Sequence, residues 1–181
     1  MKKIQIKVEG IGAGLLMHRF PVTEEDVTIK ARNRKRTEDD VNSYLYLDEK
    51  NRLVQPAIHF IAAMKRAGAK FQIPGQGKST YKNLIGSGVV TIEPDMILHE
   101  SQVWEPNRQA VSVQQSRVVR TRPLLKKWLL SFTIVYDEGE IKKDVIKEIL
   151  DYAGRRVGIG DFRPEKGGSF GKFFVSKFKE L

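Results

Sequence analysis

From Gly154 to Phe173 the chain reads Gly-Arg-Arg-Val-Gly-Ile-Gly-Asp-Phe-Arg-Pro-Glu-Lys-Gly-Gly-Ser-Phe-Gly-Lys-Phe, and six of these twenty residues are glycine. Without a Cβ a glycine reaches φ > 0 at no steric cost and lets another backbone lie against it. A run this rich in glycine is a loop between two regular elements, and whatever fold the chain adopts must accommodate it. Arg155, Arg156, Arg163, Lys166 and Lys172 interleave with the glycines. Cations beside open main-chain N–H groups suit phosphate oxygens. A plainer use is also open: a tight connection that packs the last helix against the last strand.

The rest of the chain supplies the elements on either side. Ile4, Ile6 and Val8 alternate with Gln5, Lys7 and Glu9, which predicts a half-buried strand over residues 3–9, ended by Gly10, Gly12 and Gly14. Residues 28–43 hold few large apolar side chains and predict a mobile basic loop. Tyr44–Leu47 and Arg52–Val54 predict a hairpin. Pro56 opens a helix to about Phe71, with Ala57, Phe60, Ile61, Met64, Gly68 and Phe71 on one stripe and His59, Arg66 and Lys70 toward the other side. A short helix follows near Thr80–Ile85, then a strand at Val89–Ile92. The pattern is irregular over residues 93–125. Residues 127–136 form the clearest strand, rich in β-branched and aromatic side chains. Ile141 to Ala153 recur at helical spacing and Gly154 supplies the stop. Phe173–Phe178 makes the last strand.

Without the insertions the order is strand, helix, strand, strand, helix, strand. That order predicts an α+β, ferredoxin-like βαββαβ fold, a four-stranded antiparallel sheet with two helices on one face. The length fits one domain over residues 1–181.

Composition then narrows function. The 32 Lys and Arg outnumber the 22 Asp and Glu, for a formal charge of +10. Such a surplus favours nucleic acid or another anionic surface. There is no cysteine, so disulfides, thiolate metal sites and cysteine nucleophiles are excluded, and a reducing, cytoplasmic setting is expected. No run approaches the ~18 apolar residues of a membrane span, so no membrane partner is expected.

Motif by motif, the chemistry is sparse. Gly75-Gln-Gly-Lys-Ser-Thr80 imitates the end of a P-loop, but the first glycine of that motif falls at Gln72 and Pro74 has no N–H to give a phosphate. Gly158-Ile-Gly160 fails as a dinucleotide fingerprint, since Arg163 stands where Gly or Ala is needed. His18, His59 and His99 lie too far apart to form a metal pair on one helix. No metal and no cofactor is expected. His59 could exchange a proton with an RNA 2′-OH or leaving 5′-oxygen, with Tyr46 or Lys65 as companions; a histidine at a helix edge is the plainer reading. Arg117, Arg120 and Arg122, followed by Lys126 and Lys127, form a second basic cluster beside Gln114 and Gln115. Trp104, Phe162 and Phe170 are candidates for base stacking.

Three features together resemble the RAMP superfamily of repeat-associated RNA-binding proteins, nearest to the backbone subunits of CRISPR effector complexes. A strand ending in glycine precedes a long basic loop. A Pro-led helix with a basic end follows, Gln55-Pro-Ala-Ile-His-Phe-Ile-Ala-Ala-Met-Lys-Arg66. The third feature is the glycine-rich loop, Gly158-Ile-Gly-Asp-Phe-Arg163 through Gly167-Gly-Ser-Phe-Gly171. The resemblance spans most of the chain and is thin over residues 72–125. It implies a non-catalytic protein that grips the sugar-phosphate backbone of single-stranded RNA, as repeated copies along one strand or beside other ribonucleoprotein subunits. The implied contacts are Lys30, Arg32, Arg34, Arg66, Lys70, Arg155, Arg156, Gly158, Gly160, Arg163, Lys166, Gly167 and Gly168. In some members an Asp of the first long loop cuts target RNA, and Asp39 and Asp40 fall in that region. Metal-free RNA-processing members use a histidine as proposed for His59. A third reading is an interaction protein that imitates a subunit of an RNA-protein machine.

Overall fold

A computed structural model describes residues 1–20, 38–113 and 116–181. Strands β1 (Lys2–Ile11) and β2 (Leu15–Leu16) lead to a 3-10 helix at Glu38–Tyr44 and then β3 (Val54–Pro56). Helices α1 (Ala57–Gly68) and α2 (Tyr81–Gly86) follow, then β4 (Val90–Glu93), β5 (Met96–Leu98), β6 (Glu105–Val113), β7 (Ser116–Leu125) and β8 (Leu129–Tyr136). Helix α3 (Lys143–Tyr152) and β9 (Lys172–Glu180) complete the chain.

The principal sheet has the spatial order β4-β8-β1-β9, and every pair in it is antiparallel. Alternation decides its faces. Ile4, Ile6 and Val8 of β1 and Leu130 and Ile134 of β8 are fully buried, and they share one core with Phe60 and Met64 of α1 and Ile146, Ile149 and Leu150 of α3. Phe60 sits between the two halves of that core, 4.9 Å from the Phe132 ring and 5.4 Å from the Phe173 ring. On the opposite face Lys3 pairs with Glu93 at 3.1 Å and Lys7 with Glu100 at 3.3 Å.

Helix α1 begins where the sequence predicts. Pro56 closes β3 with φ −59°, and the Ala57 N–H, one of the donors a helix start leaves without a partner, donates to the Asp95 carbonyl at 2.8 Å. The predicted hairpin at residues 44–54 reduces to the Leu47–Leu53 bridge, because Val54 and Gln55 pair instead with Leu98 and Ile97. Two further expectations are corrected. Residues 38–43 of the predicted mobile loop are helical, in a 3-10 helix that runs on to Tyr44, with Val41 and Tyr44 buried. Within residues 93–125, Glu105–Val113 and Ser116–Leu125 are paired residue for residue in an antiparallel ribbon, and the far end of β7 is held to β2 through Leu15–Leu125 and Leu16–Leu124.

One core residue makes the fold sensitive to acid. His99 is 1% exposed, its ring lies edge-on to Trp128 at 6.5 Å, and neither ring nitrogen has a partner. Burial pushes its pKa from 6.5 down to about 4. The unfolded chain therefore binds the proton more readily than the folded one, so stability is intact above pH 6.5 and falls as pH drops toward 4. The loss at this residue is expected to reach about 3 kcal/mol. Urea unfolding at pH 7 and pH 4 should show a larger drop for wild type than for His99→Leu. Equal drops would contradict it.

Candidate nucleic-acid interface

The glycine-rich segment is tied into the fold by its own backbone. Helix α3 does not stop at Gly154; it runs on through a π-helical turn, Ala153–Val157, and ends at Gly158, whose φ is +72°. A Cβ on Gly154 would stand 2.2 Å from the Phe173 carbonyl oxygen, one on Gly160 2.5 Å from the Leu16 oxygen, one on Gly168 1.7 Å from the Phe162 oxygen and one on Gly171 1.7 Å from the Ile159 oxygen. Gly158 is buried against Pro164. The absent side chains thus admit the protein's own backbone at these positions. Gly167 alone of the four predicted contact glycines has open space where a Cβ would be. The segment is a brace between α3, β2 and β9 with exposed points on it, and close packing within the protein accounts for glycine at 158, 160 and 168.

Two predicted cations meet at this brace. Arg66, in the last turn of α1, reaches Glu165 Oε2 with Nη1 at 2.7 Å, and Arg163 reaches the same oxygen with Nη2 at 2.9 Å and Nε at 3.1 Å. Arg163 also donates to the Gly160 carbonyl at 3.1 Å. Two guanidiniums from separate elements therefore converge on one anionic oxygen, an arrangement that equally suits a phosphate oxygen. Arg156, Lys166 and Lys70 are exposed, and Arg155 is exposed and donates to the Asp151 carbonyl at 3.3 Å.

Arg122 has a different place from the one its sequence cluster suggests. It is 8% exposed, donates through Nε to Asp161 Oδ2 at 3.0 Å, lies 4.2 Å above the Tyr44 ring, and approaches His18 Nε2 at 3.4 Å. Asp161 also accepts from the Phe162 N–H at 3.0 Å, and its own N–H donates to the Leu16 carbonyl at 2.9 Å. Arg122 is thus a buried tie between β7, the 3-10 helix and the glycine-rich segment, and it does not stand open to a ligand. Arg117 and Arg120 are exposed on the β6–β7 ribbon, opposite Ser112 and Gln109.

Between α1 and the brace lies a cleft of about 220 Å³. Arg66 and Arg163 are among its lining residues, Gln55, His59 and Tyr46 contribute polar atoms, and Met17 and Ile159 contribute apolar surface. The Gln55 amide donates from Nε2 to His59 Nδ1 at 2.5 Å, which leaves the neutral ring's proton on Nε2. Burial, with a smaller contribution from the Arg163 charge, holds the His59 pKa below its ordinary 6.5, so the ring is neutral at pH 7. The Tyr46 ring meets His59 edge-on at 5.2 Å, and burial raises its phenol above the usual range. Lys65 lies over Gly86 and does not line this cleft. In this arrangement Nδ1 accepts from Gln55 and Nε2–H is the ring's donor.

The remaining candidates divide as follows. Lys30, Arg32, Arg34, Gln114 and Gln115 lie outside the described residues; Asp39 and Asp40 fall on the 3-10 helix. Among the stacking candidates Phe162 is 39% exposed with φ +52°, Phe170 is 7% exposed in a small core with Leu16 and Leu124, and Trp104 packs partly buried on the main core. Sequence reasoning missed Gln55, Asp161 and Glu165. The available signal for Gln55 was a polar residue inside the apolar run Leu53-Val-Gln-Pro-Ala57, one helical turn before His59. Among the described residues no group of three or more His, Asp or Glu could hold a metal, and no helix is long and apolar enough to cross a membrane.

No family model matches the chain, and no curated protein matches it. Among solved structures it is similar to a chain in the cryo-EM structure of the Type III-B Cmr-beta bound to cognate target RNA, with 13% identity and a TM-score of 0.48, over 99% of this chain. The chain spans 60% of the length of that one.

Proposed function

We propose that this protein binds single-stranded RNA without cleaving it, holding the sugar-phosphate backbone along the junction of α1 and the glycine-rich brace. The observation that carries the reading is the convergence of Arg66 and Arg163, 2.7 and 2.9 Å from one carboxylate oxygen, at the rim of an open cleft. Arg156 and Lys166 on the same segment and Lys70 just past the end of α1 are exposed, and the whole chain carries a charge of +10. Phe162 adds an exposed aromatic face on the same segment, suited to a base of an unpaired strand. We read the domain as ferredoxin-like and of RAMP type, on the strand order β4-β8-β1-β9, two helices packed on one face, and the motifs of α1 and the glycine-rich segment. Membership of a larger ribonucleoprotein, with several copies along one strand, belongs to the same proposal.

The direct test is the absorbance ratio at 260 and 280 nm of the purified protein, followed by sequencing of any nucleic acid that accompanies it. The expected result is co-purified RNA that high salt removes, because the grip is through phosphates. Protein that is free of nucleic acid and fails to shift labelled single-stranded RNA at low salt would overturn the reading.

A further inference from the structure

We infer that the cleft between α1 and the brace is the seat of one nucleotide of the bound strand, its base turned inward to Gln55 and His59 and its phosphate at the rim between Arg66 and Arg163. This rests on the RNA-binding reading above and adds to it a site where a base is held as well as the backbone.

The inner end of the cleft is built for a hydrogen-bonding edge. Gln55 is 1% exposed, and its Oε1 has no hydrogen-bond partner although the residue lines the cleft. A buried acceptor without a partner is costly, and native structures rarely keep one without a use. The other half of the same amide fixes the His59 tautomer, which makes Nε2–H a donor. Gln55 Oε1 as an acceptor and His59 Nε2–H as a donor are the two kinds of partner that a nucleobase, with its N–H groups and its ring nitrogens or carbonyls, calls for. Because His59 stays neutral at pH 7, this pair adds no charge at the inner end, as a neutral base requires.

Size and walls fit the same occupant. A space of about 220 Å³ is below the roughly 300–1,000 Å³ of pockets for drug-sized ligands, which suits one ring system rather than a larger molecule. Met17 and Ile159 supply apolar surface for the flat faces of a base, and Tyr46 stands edge-on to His59. At the rim Glu165 Oε2 sits where two guanidiniums converge. An incoming phosphate oxygen would take that position and release Glu165 to solvent. His18 and Asp161 also line the cleft, but both are engaged with Arg122.

The test compares a short labelled single-stranded RNA of mixed sequence with the same strand carrying abasic sites throughout, on wild type and on Gln55→Leu. Wild type is expected to bind the intact strand at least about tenfold more tightly than the abasic one. Gln55→Leu is expected to lose about tenfold on the intact strand and nothing on the abasic strand. Gln55→Met, an unbranched replacement of similar length, gives the same reading should the leucine variant fail to fold. Equal binding of intact and abasic strands by wild type, or unchanged binding of the intact strand by both variants, would remove the base seat and leave the backbone grip standing. If wild type binds neither strand, the RNA-binding reading falls and the seat with it. Micromolar binding of a free nucleoside 5′-monophosphate without binding of either strand would likewise overturn the assignment to RNA.

Discussion

Arg66→Glu is expected to weaken binding of single-stranded RNA by about a hundredfold at low salt, while Glu165→Gln is expected to tighten it by about tenfold. The two opposite signs follow from one geometry. Arg66 and Arg163 share Glu165 Oε2, so the carboxylate occupies the position a phosphate oxygen needs. A charge-assisted hydrogen bond contributes about 1.5–3 kcal/mol, or roughly 10- to 100-fold in affinity, and charge reversal also adds repulsion. Neutralising Glu165 keeps a group of the same shape but removes the competing anion from two guanidiniums at once. Neither change should alter stability by more than about 1 kcal/mol, because Arg66 is partly exposed and pairs of that kind contribute little to folding. Fluorescence anisotropy with labelled RNA, alongside urea unfolding, separates the two effects. A loss of affinity in Glu165→Gln would show that the carboxylate supports the bound state and does not compete with it.

Gly171→Ala is expected to cost at least about 3 kcal/mol of folding free energy, and Gly167→Ala only about 1 kcal/mol. Both residues have positive φ, +71° and +77°. They differ in their surroundings. A Cβ on Gly171 would overlap the Ile159 carbonyl at 1.7 Å, whereas nothing lies within 4 Å of one on Gly167. Gly171 is also fixed from both sides, its N–H donating 2.7 Å to the Gly14 carbonyl and its carbonyl accepting from Ile159 N–H at 3.0 Å. The backbone therefore cannot move aside without breaking the brace. Chemical denaturation of the two variants measures the difference directly. Equal stabilities would mean that backbone conformation, and not close approach, explains glycine at residue 171.

The same contrast marks where the sequence was legible. Alternation in Ile4, Ile6 and Val8 and the stripe through Phe60 and Met64 pointed to their elements, because one face of each is buried in a single core. The β6–β7 ribbon gave no such signal: Arg117, Val119 and Arg120 are all exposed, so apolar and polar residues are not sorted by face. In the glycine-rich segment the residue types were visible but not their partners. Gly160 meets Leu16 and Arg66 meets Glu165, contacts between residues about a hundred or more positions apart that no local pattern encodes. For the same reason Arg122 looked like one more cation of an exposed cluster until Asp161 and Tyr44 were placed beside it. The cleft joins β2, the segment before β3, α1 and the brace. His59 was visible as a candidate, but the Gln55 bond that sets its tautomer depends on β3 leading directly into α1.

Salt dependence of RNA binding tests phosphate recognition by cations on the brace and the end of α1 most directly. If about six phosphates are neutralised, the logarithm of the association constant should fall with the logarithm of salt concentration at a slope near −4, since each contact on a single strand contributes about 0.7. Removing one contact in Arg66→Ala should make the slope shallower by about 0.7. A slope indistinguishable from zero, or one that Arg66→Ala leaves unchanged, would contradict it.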